Sequence, residues 1–142
     1  MKFISPADIE RAEARIRPLI RRTPLMTYTH DITLKLEFLQ HGGSFKPRGE
    51  FNSILSQPVP AAGVAAASGG NHGVAVALAA KAQGVPATIF VPEIVSPAKI
   101  AAIRATGADI RIGGARYSDA LAACSKFIAL TGVRSIHAYD SH

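Results

Sequence analysis

Short apolar runs alternate with helical segments along the second half of the chain, and this alternation restricts the fold more than any other feature. The strand-like runs are GVAAAS, ATIFVP, ADIRIGG and RSIHAY, and the segments between them are VAVALAAKAQ, AKIAAIRAT and YSDALAACSKFIAL. Strands that are joined through helices run parallel, and right-handed crossovers place the helices against the sheet. The sequence therefore predicts an α/β fold, an open parallel twisted sheet with helices on both faces.

The N-terminal part of the chain follows another pattern. Ser5 and Asp8 have the spacing of a capping box at the start of a helix. TPLMTYT and TLKLEFL then have the character of short extended segments, and alternating apolar residues predict that the second is a half-buried strand. The loop QPVPAAG follows. We therefore expect one part at residues 1–59 and an α/β unit at residues 60–142.

Composition narrows the class of protein. The 142 residues carry a net charge of +6, but the basic residues are scattered, and three tyrosines without tryptophan offer few surfaces for stacking bases. No apolar run has the length of a membrane span or a signal peptide. Cys124 lies in an apolar helical stretch, where a buried small side chain is expected rather than a nucleophile. These features predict a cytoplasmic protein that binds neither nucleic acid nor membrane.

The loop SGGNHG, residues 68–73, falls between the first strand of the α/β unit and its helix. In open α/β sheets ligands bind beyond the carboxyl ends of strands, and adjacent glycines at a helix start form an anion-binding concavity. Asn71 also suits a helix N-cap, which is its structural alternative. The glycine spacing fits neither a dinucleotide fingerprint nor a P-loop. We therefore expect an anion-binding loop here.

A second loop, GGSFKPRG, presents Lys46 at a helix start that Ser44 is placed to cap. A lysine amine becomes a nucleophile when it condenses with a carbonyl group. Taken alone, this segment is also compatible with an ordinary junction between a loop and a helix. The histidines have no metal-ligand spacing with one another or with Cys124, so no metal site is predicted.

Together, LEFLQHGGSFKPRG and ASGGNHGVAVALAAKAQGVPATIFVPEIVSPAKIAAIRATGADI closely resemble the serine/threonine dehydratase family. These are pyridoxal-phosphate enzymes of fold type II, a group that includes serine racemase. The resemblance extends from about Thr23 to the C-terminus. It implies the small domain of the tryptophan synthase β-like fold for residues 60–142 and N-terminal segments of the large domain for residues 1–59.

The resemblance also implies roles for individual residues. Lys46 matches the lysine that forms a Schiff base with pyridoxal 5′-phosphate and later moves the α-proton. Phe45 matches an aromatic residue near the cofactor, and Asn71 matches the asparagine that hydrogen-bonds the pyridine 3′-oxygen. The loop that receives the substrate carboxylate is matched by Ser68, Gly69, Gly70 and His72.

Three departures from the family pattern qualify these roles. Serine racemases usually carry, where this chain has Gly69, a serine that acts from the opposite face of the cofactor, so racemisation is disfavoured. Glu50 replaces a small residue one helical turn from Lys46, and we expect it to pair with the ammonium and oppose its chemistry. Family members are about twice as long, and the missing half brings the glycine-rich loop for the phosphate. The chain is therefore expected to be an inactive N-terminal portion.

For the complete protein, the resemblance implies pyridoxal-phosphate-dependent dehydration and deamination of L-threonine or L-serine to a 2-oxo acid and ammonia. A small amino acid is then the substrate, and a homo-oligomer, dimer or tetramer, is the expected assembly. Two alternatives stay open: a non-catalytic α/β module, and a racemase or β-replacement enzyme of the same fold.

Overall fold

The computed structural model describes residues 3–138. Within this range the α-helices are Pro6–Ile16 (α1), Lys46–Leu55 (α2), Asn71–Ala82 (α3), Pro97–Arg104 (α4) and Tyr117–Thr131 (α5). The strands are Leu25–Thr27 (β1), Thr33–Lys35 (β2), Val64–Ala67 (β3), Ala87–Val91 (β4), Asp109–Ile112 (β5) and Arg134–Ser135 (β6). The last residue of the predicted RSIHAY strand, Tyr139, lies outside the described residues. No helix among residues 3–138 has both the length and the apolar character needed to cross a membrane.

The α/β unit contains the predicted parallel sheet, with strand order β5-β4-β3-β6. Val64 pairs with Ala87 on one side and with Arg134 on the other, and every strand pair is parallel. All residues of β3 and β4 are buried, which is the pattern expected for a sheet that is covered on both faces. The predicted fold class is confirmed.

Helices cover the two faces of this sheet with separate apolar clusters. On one face, α2, α3 and α4 pack against side chains of β3 and β4, including Val64 and Ile89. On the other face, α5 packs against Ala65, Ala67 and Phe90. β3 carries three consecutive alanines, and they lie between the two clusters. The loop at residues 68–70 leaves the sheet directly from this buried strand.

Cys124 lies in the second cluster, on α5. It is 2% exposed, and burial raises the pKa of its thiol to about 11. A thiol held protonated in this way is a poor nucleophile. The expected role as a buried small side chain is confirmed.

The N-terminal hairpin differs from the sequence expectation. β1 and β2 pair antiparallel, and all of their residues are exposed. The expected half-buried strand ends at Lys35, and residues Glu37–Leu39 form a 3₁₀ turn instead. At this turn the Glu37 carboxylate binds Arg48 on α2, a contact with a residue 11 positions later that the alternation does not indicate.

Helix starts confirm one capping prediction and correct two. Ser5 and Asp8 form the predicted capping box on α1. Phe45, not Ser44, is the cap residue of α2, and no side chain caps this helix. Gly70 is the cap residue of α3, so Asn71 is the first helical residue rather than the N-cap. The side chain of Asn71 is therefore not committed to capping and is exposed.

Candidate active site

The sheet has a topological switch point between β3 and β6. From β3 the chain proceeds through β4 to β5 at one edge, and α5 then returns it to the opposite side of β3. Ligands of open α/β sheets bind at such a point, outside the carboxyl ends of the strands. Two segments leave the sheet here: residues 68–70 after β3 and residues 136–138 after β6.

Lys46 reaches this point from the first turn of α2. Its Nζ donates a hydrogen bond to the carbonyl oxygen of Ala138 at 3.2 Å. The amine also lies 5.6 Å from the ring centroid of Phe45, which is 61% exposed. Both residues line an open cleft of about 700 Å³ between α2 and the β6 segment. The amine is therefore open to the cleft and lies beside an exposed aromatic ring.

An ion pair that the sequence analysis missed positions the helix of Lys46. Arg48 donates from Nε to Glu37 Oε2 at 2.7 Å and from Nη2 to Oε1 at 2.8 Å. Thr23 also donates to this carboxylate. The Arg48 hydrogen bonds are the largest influence on the Glu37 carboxyl and lower its pKa to about 2. Because Arg48 is two residues after Lys46, the bidentate pair fixes the first turn of α2.

The loop at residues 68–70 is compact. The Gly70 N–H donates to Ser68 Oγ at 3.1 Å, and α3 begins at the next residue. A Cβ atom placed on Gly69 would overlap Val95 Cγ2, so Val95 occupies the space beside this glycine. The Nζ atom of Lys99 lies 4.0 Å from the corresponding position on Gly70. The loop thus combines a helix start with a nearby cation, which favours a bound anion.

His72 lies apart from this open surface. Its side chain is buried, with Nδ1 at 2.8 Å from Glu50 Oε1 and Nε2 at 3.2 Å from the Ile136 carbonyl oxygen. The expected ion pair between Glu50 and Lys46 is wrong, because Glu50 bonds to His72 and Lys46 bonds to Ala138. The two sequence motifs are nevertheless brought together, since the Glu50–His72 contact joins α2 directly to the start of α3.

These residues fit the aldehyde and ring end of pyridoxal phosphate. They offer an accessible amine, an exposed aromatic ring and an uncommitted amide at Asn71. Ser44 adds a buried hydroxyl that has no hydrogen-bond partner among residues 3–138. Gly113 and Gly114 follow β5 at the far edge of the sheet, so they are not placed to hold a phosphate at this crevice.

Comparison with known proteins identifies the family. The family model for "Pyridoxal-phosphate dependent enzyme" matches residues 16–142. The chain is 41% identical to the L-threonine dehydratase catabolic TdcB of Staphylococcus aureus strain N315, covering 97% of this chain and 43% of that protein.

Solved structures give the same result. Maize serine racemase superposes with a TM-score of 0.88 at 34% identity, over 94% of this chain and 43% of that one. A threonine deaminase from T.th. gives a TM-score of 0.87 at 35% identity, over 97% of this chain and 46% of that one. The chain therefore spans less than half the length of these relatives, and the fold type II resemblance is confirmed. It belongs to the family of pyridoxal-phosphate dependent enzymes.

Proposed function

We propose that this chain supplies the lysine-bearing half of a lyase that converts L-threonine or L-serine to a 2-oxo acid and ammonia. One observation carries the proposal: the Lys46 amine opens into the cleft at the switch point of the parallel sheet, where Ala138 accepts its hydrogen bond. The similarity to a threonine dehydratase and a threonine deaminase supports the choice of substrate class.

Each residue has a separate task in this proposal. Pyridoxal phosphate, when bound, supplies the electron sink that makes the substrate α-proton removable. Lys46 would hold the cofactor through its amine until the substrate amine takes its place, and the freed Nζ would then accept the α-proton. Phe45 supports the ring and Asn71 donates to the ring oxygen.

The loop of Ser68, Gly69, Gly70 and His72 would receive the substrate carboxylate. Ser68 N–H donates to the Phe90 carbonyl oxygen and Gly70 N–H to Ser68 Oγ, so the N–H of Gly69 and those of the first turn of α3 would make the contacts. The side chain of His72 holds the loop from behind.

The position of Val95 favours a lyase over a racemase. In the racemases that this chain resembles, a serine at position 69 would direct a hydroxyl to the site, but here the Val95 methyl group would have to move to admit any side chain at this position. Without a proton donor on the opposite face the α-carbon is not reprotonated there, which disfavours racemisation and leaves loss of the β-hydroxyl as the favoured outcome. A non-catalytic module and a β-replacement enzyme remain the competing functions.

The organisation of the complete protein forms part of the same proposal. Residues 1–59 contribute to a large domain and residues 60–142 form the small domain. The complete protein assembles as a homo-oligomer, a dimer or tetramer, in the cytoplasm, and acts on free amino acids.

The test is reductive fixation of the cofactor. After incubation of the 142-residue chain with pyridoxal phosphate and borohydride, peptide mapping should find the label on Lys46. Lys46→Arg should abolish it, whereas Lys81→Arg, at an exposed position on α3, should not. Predominant labelling of Lys35 or Lys81 would refute the assignment. The 142-residue chain alone should bind pyridoxal phosphate weakly and release no 2-oxo acid. The complete protein should convert L-serine to pyruvate and form little D-serine.

A further inference from the structure

Glu50 and His72 form a buried pair at the junction of three segments that surround the cleft. Glu50 is 6% exposed and His72 is 5% exposed. Glu50 lies on α2, one turn after Lys46, and His72 lies on α3 directly after the anion-binding loop. The second ring nitrogen of His72 contacts Ile136, two residues before the carbonyl that accepts the Lys46 hydrogen bond. The pair therefore connects the lysine, the loop and the β6 segment.

The hydrogen bonds determine the net charge of this pair. A carbonyl oxygen only accepts, so His72 Nε2 carries the hydrogen in its bond to Ile136. One hydrogen then lies between Nδ1 and Glu50 Oε1, which are 2.8 Å apart. If it resides on nitrogen, an imidazolium faces a carboxylate; if it resides on oxygen, both groups are neutral. The net charge is zero in either arrangement.

The two arginines that line the cleft are engaged elsewhere. The Arg134 guanidinium donates to the carbonyl oxygens of Ser53, Ile54 and Gln57 at the end of α2. Arg48 binds the Glu37 carboxylate. His72 is therefore the group that balances Glu50, and this leaves Lys46 without an anionic partner on its own helix.

We infer that Glu50 is a positioning residue for Lys46 and that His72 is its charge partner. The pair holds α2 against the start of α3 while it presents no net charge to the amine. The Lys46 amine then faces no net negative charge from the glutamate one turn away. The inference rests on the proposed function only in taking Lys46 as the reactive group, and its test needs no cofactor.

The experiment measures how fast an amine-selective acylating reagent labels Lys46 at one pH, with Lys81 as the internal control. His72→Gln keeps a hydrogen-bond donor but leaves Glu50 charged, so labelling of Lys46 should slow about 5-fold to 10-fold. Glu50→Gln should leave the Lys46 rate within about 2-fold, as expected for an already neutral pair. The double variant Glu50→Gln/His72→Gln should return the rate to that of the unchanged chain.

A purely structural pair would behave differently. In that case both single variants would change the Lys46 labelling rate together with the urea midpoint. The double variant would then show the largest change in both quantities. An unchanged rate in His72→Gln would overturn the inference. If that variant does not fold, the isosteric Glu50→Gln decides: an unchanged rate supports the inference, and a several-fold faster rate shows that Glu50 acts as an anion on Lys46. The two hypotheses can fail separately. If borohydride fixes no cofactor on Lys46 but the acylation rates of the variants follow the expected pattern, the proposed function is refuted and the inference about Glu50 and His72 stands.

Discussion

Every residue of β3 and β4 is buried, whereas every residue of β1 and β2 is exposed. The sheet is held by apolar packing from both faces. The segment from Arg21 to Gln40 is held largely by polar contacts: Gln40, 2% exposed, bonds to both the N–H and the carbonyl of Arg21, and Glu37 binds Arg48. The chain thus uses apolar packing around the sheet and polar contacts in this segment.

The difference has a functional meaning. Apolar packing is non-directional and stabilises a scaffold, whereas charge-assisted hydrogen bonds fix orientation. The Arg48–Glu37 ion pair links the helix of Lys46 to the N-terminal polar segment. The Lys46 amine bonds to Ala138, which follows β6 of the parallel sheet. Stability and placement of the amine should therefore respond to different substitutions.

The largest expected effect is in the sheet. Ile89→Ala removes a side chain that is 0% exposed, and the lost burial and the cavity should reduce the free energy of unfolding by about 3 kcal/mol. Leu25→Ala in β1, where the side chain is 68% exposed, should cost less than about 0.5 kcal/mol. Urea denaturation of both variants measures the contrast. Equal losses would show that the hairpin is packed as firmly as the sheet.

A smaller effect on stability is expected from loss of the ion pair between Glu37 and Arg48. The folded pKa of Glu37 is about 2, below its ordinary value of 4.5, so its contribution is present above about pH 4.5 and is lost as the pH falls towards 2. Glu37→Gln should therefore destabilise the chain by about 2 kcal/mol at pH 7, and the difference should shrink in acid. Asp109→Asn is the control, because its ion pair with Arg111 is exposed. The same loss at pH 7 and at pH 3 would contradict the assigned cause.

The sheet was predictable because its sequence pattern reflects its burial. Runs such as ATIFV, bounded by prolines and helical segments, leave few alternatives to buried parallel strands. The TLKLEFL segment was not predictable in this way, since the Glu37–Arg48 contact joins residues 11 apart and overrides the alternation. Long-range polar contacts leave no periodic signal.

The candidate site was predictable in its backbone and not in its side-chain contacts. Glycine spacing and the strand-to-helix position identified the loop that follows β3. The partner of Glu50 was missed because helical spacing relates it to Lys46, while the fold brings it to His72, 22 residues away. The Val95–Gly69 contact was likewise missed, since it depends on how the β4–α4 connection passes the loop.

The smallest expected effect on stability concerns the hydroxyl group of Ser44, two residues before Lys46. Ser44 is 8% exposed, and its hydroxyl has no hydrogen-bond partner among the described residues. Burying an unpaired hydroxyl is unfavourable, so Ser44→Ala should leave stability unchanged or raise it by up to about 1 kcal/mol. Thr106→Val is the matched control at an equally buried hydroxyl that donates to Ile103 at 2.6 Å, and it should cost about 1 to 2 kcal/mol. Urea midpoints distinguish the two. If Ser44→Ala is as costly as the control, the hydroxyl is satisfied in solution. If it is not, the Ser44 hydroxyl makes no hydrogen bond that stabilises the folded chain.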